Sequence, residues 1–287
     1  MLRGHLVPAR EAALNPSLDA SRVADVGLGK DHSVRPIRPT TAVNRAYRAG
    51  WLVDGRISKA DAVCGVLVER GGLFPADFRG DVFVCEPAGN LVHWLELDEE
   101  HGEPHGAPQA GARPLLASTD ERFRPVNLAS GPDGAVYVVD MQRGLLQHRQ
   151  FLTTFLREQS LERGLVEPLD RGRIWRVVPS DAQRAQVPKL STQSSDELLP
   201  YLGHANAFLR REAQRLFVED DWDEAIVLPK LRAVFANAPS ARARVHALWA
   251  LDGRGALDEN TLIAAIRDAD GSVRLQALRA ATGRVPA

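Results

Sequence analysis

The chain has 287 residues, 44% hydrophobic and 25% charged, which is enough for two domains with packed cores. Its 36 Lys and Arg residues against 37 Asp and Glu residues give a formal net charge of −1, which removes the general electrostatic case for a nucleic-acid or anionic-membrane partner. No apolar stretch is long enough to span a membrane, and the N-terminal segment lacks the apolar core of a signal peptide. The chain as written is therefore predicted to be cytoplasmic, without membrane insertion.

Only two cysteines occur, Cys64 and Cys85. The CxxC zinc motif and the CxxCH haem-attachment motif are both absent, so no covalent haem is expected in this chain.

The first part of the chain changes from irregular to β-type sequence. Residues 1–61 hold several prolines and little apolar periodicity, which predicts an irregular or edge segment. Short β-type runs then follow at residues 63–68, 81–85 and 90–97, joined by Gly and Pro turns. The polar, Gly-containing stretch 98–113 is predicted to be an exposed loop.

A second group of β-type runs completes the β region. Residues 123–128 and 135–140 are separated by a Gly-Pro-Asp-Gly turn and predict a hairpin. Apolar residues at helical spacing predict a helical insertion at about 141–171, before a last strand at 172–178. We interpret residues 62–179 as blades of an incomplete β-propeller.

The C-terminal part has helical periodicity. A polar linker at 180–195 precedes an Ala-, Leu- and Arg-rich region at 196–287. An Arg stands three residues before a small Ala in three alignable segments, at Arg210 and Ala213, Arg244 and Ala247, and Arg274 and Ala277. The alanines are 34 and 30 residues apart, which predicts an α-helical HEAT-type solenoid. The arginines either form a basic ridge for an acidic partner or pair with Asp of the neighbouring repeat.

Several long motifs resemble one family. They are residues 43–48, 78–92, 124–128, 131–141, 161–165 and 170–177. These segments resemble the membrane-bound dehydrogenases of Planctomycetes and Verrucomicrobia, whose propeller is similar to that of quinoprotein glucose and sorbosone dehydrogenases. Members of that family continue into HEAT repeats and often end in a c-type cytochrome.

The resemblance implies a larger ancestor. At about 40–45 residues per blade, residues 62–179 hold two full blades and part of a third, fewer than a closed propeller needs. We therefore expect a fragment that lacks the early blades and the cytochrome module. The resemblance implies a periplasmic or exported location, pyrroloquinoline quinone and calcium as cofactors of a full-length member, a cytochrome c electron acceptor, and a second chain that completes the propeller.

Polar residues near the strand ends are candidates for a cofactor site, because propeller ligands bind where loops converge. Arg124 and Arg143 are predicted to clamp an anionic quinone, together with Asn127 and Asp140. His148 is the candidate general base. The alternatives are an Asp140–Arg143 ion pair that stabilises a turn, and a surface position for His148.

Two further candidates lie on the first strands. Glu86, at a strand end, is a candidate for cation or substrate binding together with Asn90, and its alternative role is a hairpin-end carboxylate that accepts backbone N–H groups. Cys64 and Cys85 fall on consecutive strands and are expected to be neighbours. The register decides whether their side chains share a face and whether a disulfide is accessible.

Two functions remain open from the sequence. The first is a remnant of a periplasmic sugar or polyol dehydrogenase that uses a quinone and is inactive as this isolated chain. The second is a non-catalytic propeller and HEAT scaffold that binds a protein or polysaccharide partner.

Overall fold

The structure is a computed structural model that describes residues 52–53, 56–57, 62–100, 103–108, 114–146, 154–183 and 186–282. Antiparallel sheets occupy the N-terminal part and helices the C-terminal part, so the predicted β-then-α layout is confirmed. In the predicted irregular segment 1–61, the strands Leu52–Val53 (β1) and Arg56–Ile57 (β2) pair with each other. No helix among the described residues is long and apolar enough to cross a membrane.

The larger sheet has five strands. They are Cys64–Val68 (β3), Val82–Glu86 (β4), Leu91–Glu100 (β5), Glu103–Pro108 (β6) and Leu116–Ala117 (β7). The first four pair in sequence order as an antiparallel meander, and β7 also pairs with β5. Apolar side chains of β4 and β5 form its core, and Phe83, Leu91 and Val92 are fully buried.

The prediction of a loop at 98–113 is wrong in part. Strand β5 continues to Glu100 and pairs with β6, with Asp98 opposite His105 and Glu100 opposite Glu103. Backbone pairing with an established strand outweighs the low β-propensity of these Gly, Pro and charged residues. The segment is a hairpin extension of the sheet.

A bulge interrupts β3 at Gly65. The register shifts between Cys64 and Val66, and Gly65 has a φ of +54°. A Cβ at this position would lie 2.6 Å from Cα of Asn127 and 2.7 Å from the carbonyl oxygen of Val126. Only a residue without a side chain allows the two backbones to approach this closely.

A smaller sheet has three strands in the order β10, β9, β8. Its strands are Pro125–Ser130 (β8), Val136–Asp140 (β9) and Arg173–Val177 (β10), and the helix Thr154–Glu162 (α1) lies in the connection before β10. A helical insertion was predicted at about 141–171, and among the described residues of that range α1 is the helix. Strand β10 is an edge strand, and Ile174 on it is 67% exposed.

The helical part contains six further helices. They are Ser195–Leu198 (α2), Ala207–Glu219 (α3), Glu224–Asn237 (α4), Ala241–Gly253 (α5), Glu259–Ile266 (α6) and Gly271–Thr282 (α7). Side-chain caps begin several of them: Asn206 accepts from Phe208 N–H, Asp223 from Ala225 N–H and Asp258 from Thr261 N–H.

Small residues let the helices pack closely. The repeat alanines Ala213, Ala247 and Ala277 are all fully buried in one apolar core. Leu190, in the predicted linker 180–195, is buried in the same core. The segment is therefore only partly a linker.

The chain divides into two compact units. The first comprises Met1–Val68, Gly80–Leu128 and Val138–Trp175, and the second comprises Glu69–Arg79, Ala129–Tyr137 and Arg176–Ala287. The helical unit thus includes two segments that the sequence analysis placed in the β region at 62–179.

Hydrogen bonds at the start of α3 explain this membership. The N–H of Ala207 donates to the carbonyl of Arg70 at 2.8 Å, and Nδ2 of Asn206 donates to the carbonyls of Gly131 and Pro132. Asn206 also caps α3 with its side-chain oxygen, so one buried amide serves both purposes.

Candidate functional site

Arg124 is a buried cation that binds backbone groups of its own unit. It is 6% exposed, and its guanidinium donates to three carbonyls. Nη1 reaches Pro87 O at 2.7 Å, Nη2 reaches Gly144 O at 2.8 Å, and Nε reaches Arg143 O at 2.9 Å. The planar fork of the guanidinium suits several acceptors at fixed angles, so Arg124 joins the β4–β5 turn to the segment after β9.

Asp140 is the buried anion of the same network. Its Oδ1 accepts the N–H groups of Arg124 and Gln142, both at 2.8 Å, and its Oδ2 accepts Nε1 of Trp175 at 3.0 Å. A carboxylate with three N–H donors is well satisfied in a buried site. Both carboxylate oxygens of Asp140 therefore accept hydrogen bonds from the protein itself.

The other predicted cofactor residues are placed differently. Asn127 is exposed, and its Oδ1 accepts the N–H of Leu128. Arg143 contributes its carbonyl to Arg124. His148 lies outside the described residues. The structure therefore brings Arg124 and Asp140 together with the Arg143 backbone, and the contacts described for Asn127 are local.

Glu86 is fully buried at the end of β4. Its two carboxylate oxygens lie 3.3 and 3.4 Å from the N–H of Ala62. Within the described ranges, no group of three or more His, Cys, Asp or Glu side chains is arranged to hold a metal ion. The geometry corresponds to the strand-end carboxylate that accepts backbone N–H groups.

Cys64 and Cys85 face each other across the β3–β4 ladder, directly before the bulge. Both are free thiols, and Cys85 is buried. Burial, followed by the influence of Cys64, raises the pKa of Cys85 to about 12, and burial also raises the pKa of Cys64. Two protonated thiols behave as small apolar side chains at neutral pH.

Sequence reasoning missed Trp175, Gln142 and Asp120 as members of the network around Arg124 and Asp140. Trp175 binds Asp140 from β10, and Nε2 of Gln142 donates to Asp120 Oδ2 at 2.8 Å. Asn90, fully buried with a φ of +57°, donates to the carbonyl of Phe123. The Pro-Ala-Gly-Asn sequence predicts a turn and is consistent with the positive φ of Asn90. No sequence pattern predicts which backbone carbonyls the Asn90 amide and the Arg124 guanidinium bind.

A second group of polar contacts recurs in the helical unit. In each repeat the Arg before the small Ala donates through Nη1 to the carbonyls six and five residues earlier. Arg210 binds His204 O and Ala205 O, Arg244 binds Ala238 O and Pro239 O, and Arg274 binds Asp268 O and Ala269 O. The repeated arginine therefore stabilises the turn before its own helix.

The acceptors of the remaining guanidinium donors, Nε and Nη2, differ between these arginines. Nε and Nη2 of Arg244 bind both carboxylate oxygens of Asp268 at 2.9 Å, which raises the pKa of Arg244 and lowers that of Asp268. No carboxylate of the described residues binds Arg210, and its Nε donates to Nε2 of His246 at 3.3 Å. Of the two roles predicted for these arginines, Arg244 adopts the ion pair with the neighbouring repeat.

His246 is held neutral by this contact. Its Nδ1 lies 2.6 Å from Oε1 of Gln214, which requires N–H at Nδ1, so Nε2 accepts from Arg210. Burial, followed by the charges of Arg210 and Arg211, lowers the pKa of His246 to about 4. A proton added to Nε2 would point at the N–H of Arg210, so the contact disfavours the protonated imidazole.

We expect the protein to lose stability as the pH falls below about 6.5 because of His246. The unfolded chain has the ordinary His pKa of about 6.5 and binds the proton first. The stabilisation is complete above that pH and is lost towards the folded pKa of about 4. The free energy of unfolding, measured in urea, should decrease from pH 7 to pH 5 in both proteins being compared, the parent and His246→Gln. The decrease should be about 1–2 kcal/mol larger for the parent. Equal pH dependence in both proteins would contradict the assignment.

Comparison with known proteins identifies a family for this chain. The family model described as "Domain of unknown function (DUF7133)" matches residues 2–181. The chain belongs to the DUF7133 family. No curated protein and no solved structure matches the chain. The DUF7133 match contains Arg124, Asp140 and Glu86 and ends before helix α2.

Proposed function

We propose that the chain is a segment of a quinoprotein-like sugar or polyol dehydrogenase, inactive as an isolated polypeptide. In this proposal residues 62–179 are blades of an incomplete propeller and residues 196–287 are a HEAT-type solenoid. The antiparallel meander from β3 to β6 has the strand order of a propeller blade, and the paired helices share a recurring Arg and Ala frame, which supports the assignment.

The hydrogen bonding of Arg124 and Asp140 carries the proposal of inactivity. A quinone clamp needs donors that point at the ligand, whereas the guanidinium of Arg124 donates to three backbone carbonyls. Both oxygens of Asp140 accept N–H groups of the chain. These residues do not fit a site for pyrroloquinoline quinone and calcium. Their role in this proposal is to stabilise the β unit.

The proposal includes an exported ancestor. Its partners are a second chain that completes the propeller and a cytochrome c that accepts electrons. Both follow from the resemblance to the dehydrogenases of Planctomycetes and Verrucomicrobia.

The purified chain, mixed with pyrroloquinoline quinone, calcium and an artificial electron-accepting dye, is expected to oxidise no sugar or polyol. A known quinoprotein glucose dehydrogenase in the same assay serves as the positive control. Dye reduction by the chain that disappears in Arg143→Ala would overturn the proposal.

A second candidate function is a non-catalytic scaffold that binds a macromolecular partner. It is favoured by Arg70, Arg79, Arg211 and Arg242 of the helical unit, whose positive charges act on the buried Arg210. This candidate needs no cofactor.

A further inference from the structure

Arg210 and Arg244 occupy equivalent positions with unequal partners. Asp268 stands six residues before Arg274, and its carboxylate binds Arg244 of the preceding repeat. The residue six positions before Arg244 is Ala238, and its backbone carbonyl accepts from Arg244. The backbone carbonyl of Asp268 accepts from Arg274 in the same way, so Ala238 and Asp268 are equivalent positions. Ala238 therefore occupies the position that is equivalent to Asp268 for Arg210. Alanine has no carboxylate that Arg210 could bind.

The guanidinium of Arg210 retains an open donor. The side chain is 7% exposed, Nη1 binds two carbonyls and Nε binds His246. Nη2, which in Arg244 binds Asp268, donates to no acceptor among the described residues. Nη2 is not one of the buried side-chain atoms without a partner, so it is open to solvent, where an anion supplied from outside can pair with the cation.

Four exposed arginines lie close enough to Arg210 for their charges to act on its guanidinium. Arg211 follows Arg210 in the first turns of α3, and Arg242 lies in the first turn of α5. The carbonyl of Arg70 accepts the N–H of Ala207, one helical turn before Arg211, and Arg79 ends the same segment of the unit. Arg70, Arg79, Arg211 and Arg242 are all exposed. We call these four residues and Arg210 the arginine cluster.

The cluster concentrates positive charge in a chain of net charge −1. Burial, followed by the charges of Arg242, Arg70, Arg211 and Arg79, lowers the pKa of Arg210 to about 10. The same arginine in the next repeat has its pKa raised by Asp268. Glu69 is an acidic neighbour of Arg79: its Oε1 accepts the N–H groups of Gly71 and Gly72, its Oε2 has no hydrogen-bond partner among the described residues, and burial raises its pKa. Glu69 is not among the groups whose charges act on Arg210.

We propose that the arginine cluster binds an acidic segment of another polypeptide, with an Asp or Glu carboxylate at Nη2 of Arg210. The model for this contact is the chain's own Asp268, a side-chain carboxylate that reaches Arg244 from a turn before a helix. The exposed arginines bind further carboxylates of the same segment. This inference deepens the scaffold candidate and rests on it, and it does not depend on the dehydrogenase ancestry.

The test is a calorimetric titration of the full chain with hexaglutamate at low ionic strength. We expect binding that weakens in added salt, with no binding of hexaglutamine. Arg211→Gln and Arg242→Gln should each weaken binding about two- to fivefold, as expected for exposed charges. Arg215→Gln removes the same charge from α3 outside the cluster, where Arg215 pairs with Glu212 and Glu219, and should leave the affinity unchanged.

Ala238→Asp is the decisive variant, because it supplies internally the carboxylate that Asp268 supplies to Arg244. We expect it to raise the midpoint of thermal unfolding and to weaken hexaglutamate binding at least about tenfold. Arg210→Ala removes the turn hydrogen bonds as well and is less informative.

Three outcomes would overturn the proposal. They are equal affinity for hexaglutamate in the parent and Ala238→Asp, absence of binding at low ionic strength, and tighter binding of oligogalacturonate or inorganic phosphate than of hexaglutamate. The dye-reduction assay has a separate readout, so failure of the dehydrogenase proposal leaves this result interpretable.

Discussion

Arg124→Met is expected to lower the free energy of unfolding by about 4 kcal/mol. Methionine fills a similar volume but donates no hydrogen bond. The carbonyls of Pro87, Arg143 and Gly144 then lose their common donor in a largely buried site. Urea unfolding at pH 7 measures the loss, and no cofactor is present in the experiment.

Arg143→Met is the matched control for Arg124→Met. Both arginines were predicted to clamp a quinone, but the contact described for Arg143 uses its backbone carbonyl. Substitution of this partly exposed side chain should change the free energy of unfolding by less than about 0.5 kcal/mol. Equal stability of Arg124→Met and the parent would show that the three hydrogen bonds contribute little and would reopen a ligand-binding role for Arg124.

Gly65→Ala is expected to cost about 3 kcal/mol or more, because two penalties add. The φ of +54° is unfavourable for alanine by about 1 kcal/mol. The new methyl group would also lie 2.6 Å from Cα of Asn127, and backbone cannot move away as a flexible side chain can. The bulge in β3 and its contact with β8 would both be distorted.

Gly164→Ala separates the two penalties for Gly65→Ala. Gly164 has a φ of +61°, and a Cβ there would meet nothing within 4 Å. Its substitution should cost only the conformational penalty of about 1 kcal/mol. If both alanine variants unfold at the same urea concentration, the close approach of β3 and β8 is not as tight as the structure describes.

Local patterns predicted most elements of the fold. Alternating apolar residues and Gly or Pro turns identified β4, β5, β8 and β9, and the recurring Arg and Ala frame located α3, α5 and α7. These patterns act over a few residues and reflect which face of an element is buried. The hairpin formed by the end of β5 and β6 was missed because its pairing depends on the neighbouring strand rather than on its own composition.

The candidate site was less predictable than the fold. Residue type and position identified Arg124 and Asp140 as polar residues at strand ends, but not the direction of their hydrogen bonds. Arg124 binds main-chain carbonyls, which every residue carries and which no sequence pattern marks. Likewise, the difference between Arg210 and Arg244 depends on one alanine, Ala238, and becomes visible only when the repeat equivalence is known from the structure.

The interleaved segments of the helical unit affect how the chain can be divided. Because Glu69–Arg79 and Ala129–Tyr137 belong to that unit, a single cut near residue 180 does not yield it intact. Expressed alone, residues 186–282 would retain Asn206 as a helix cap but lose the carbonyls of Gly131 and Pro132 that its amide binds. A helical unit prepared for separate study therefore has to carry both of these segments from the β region.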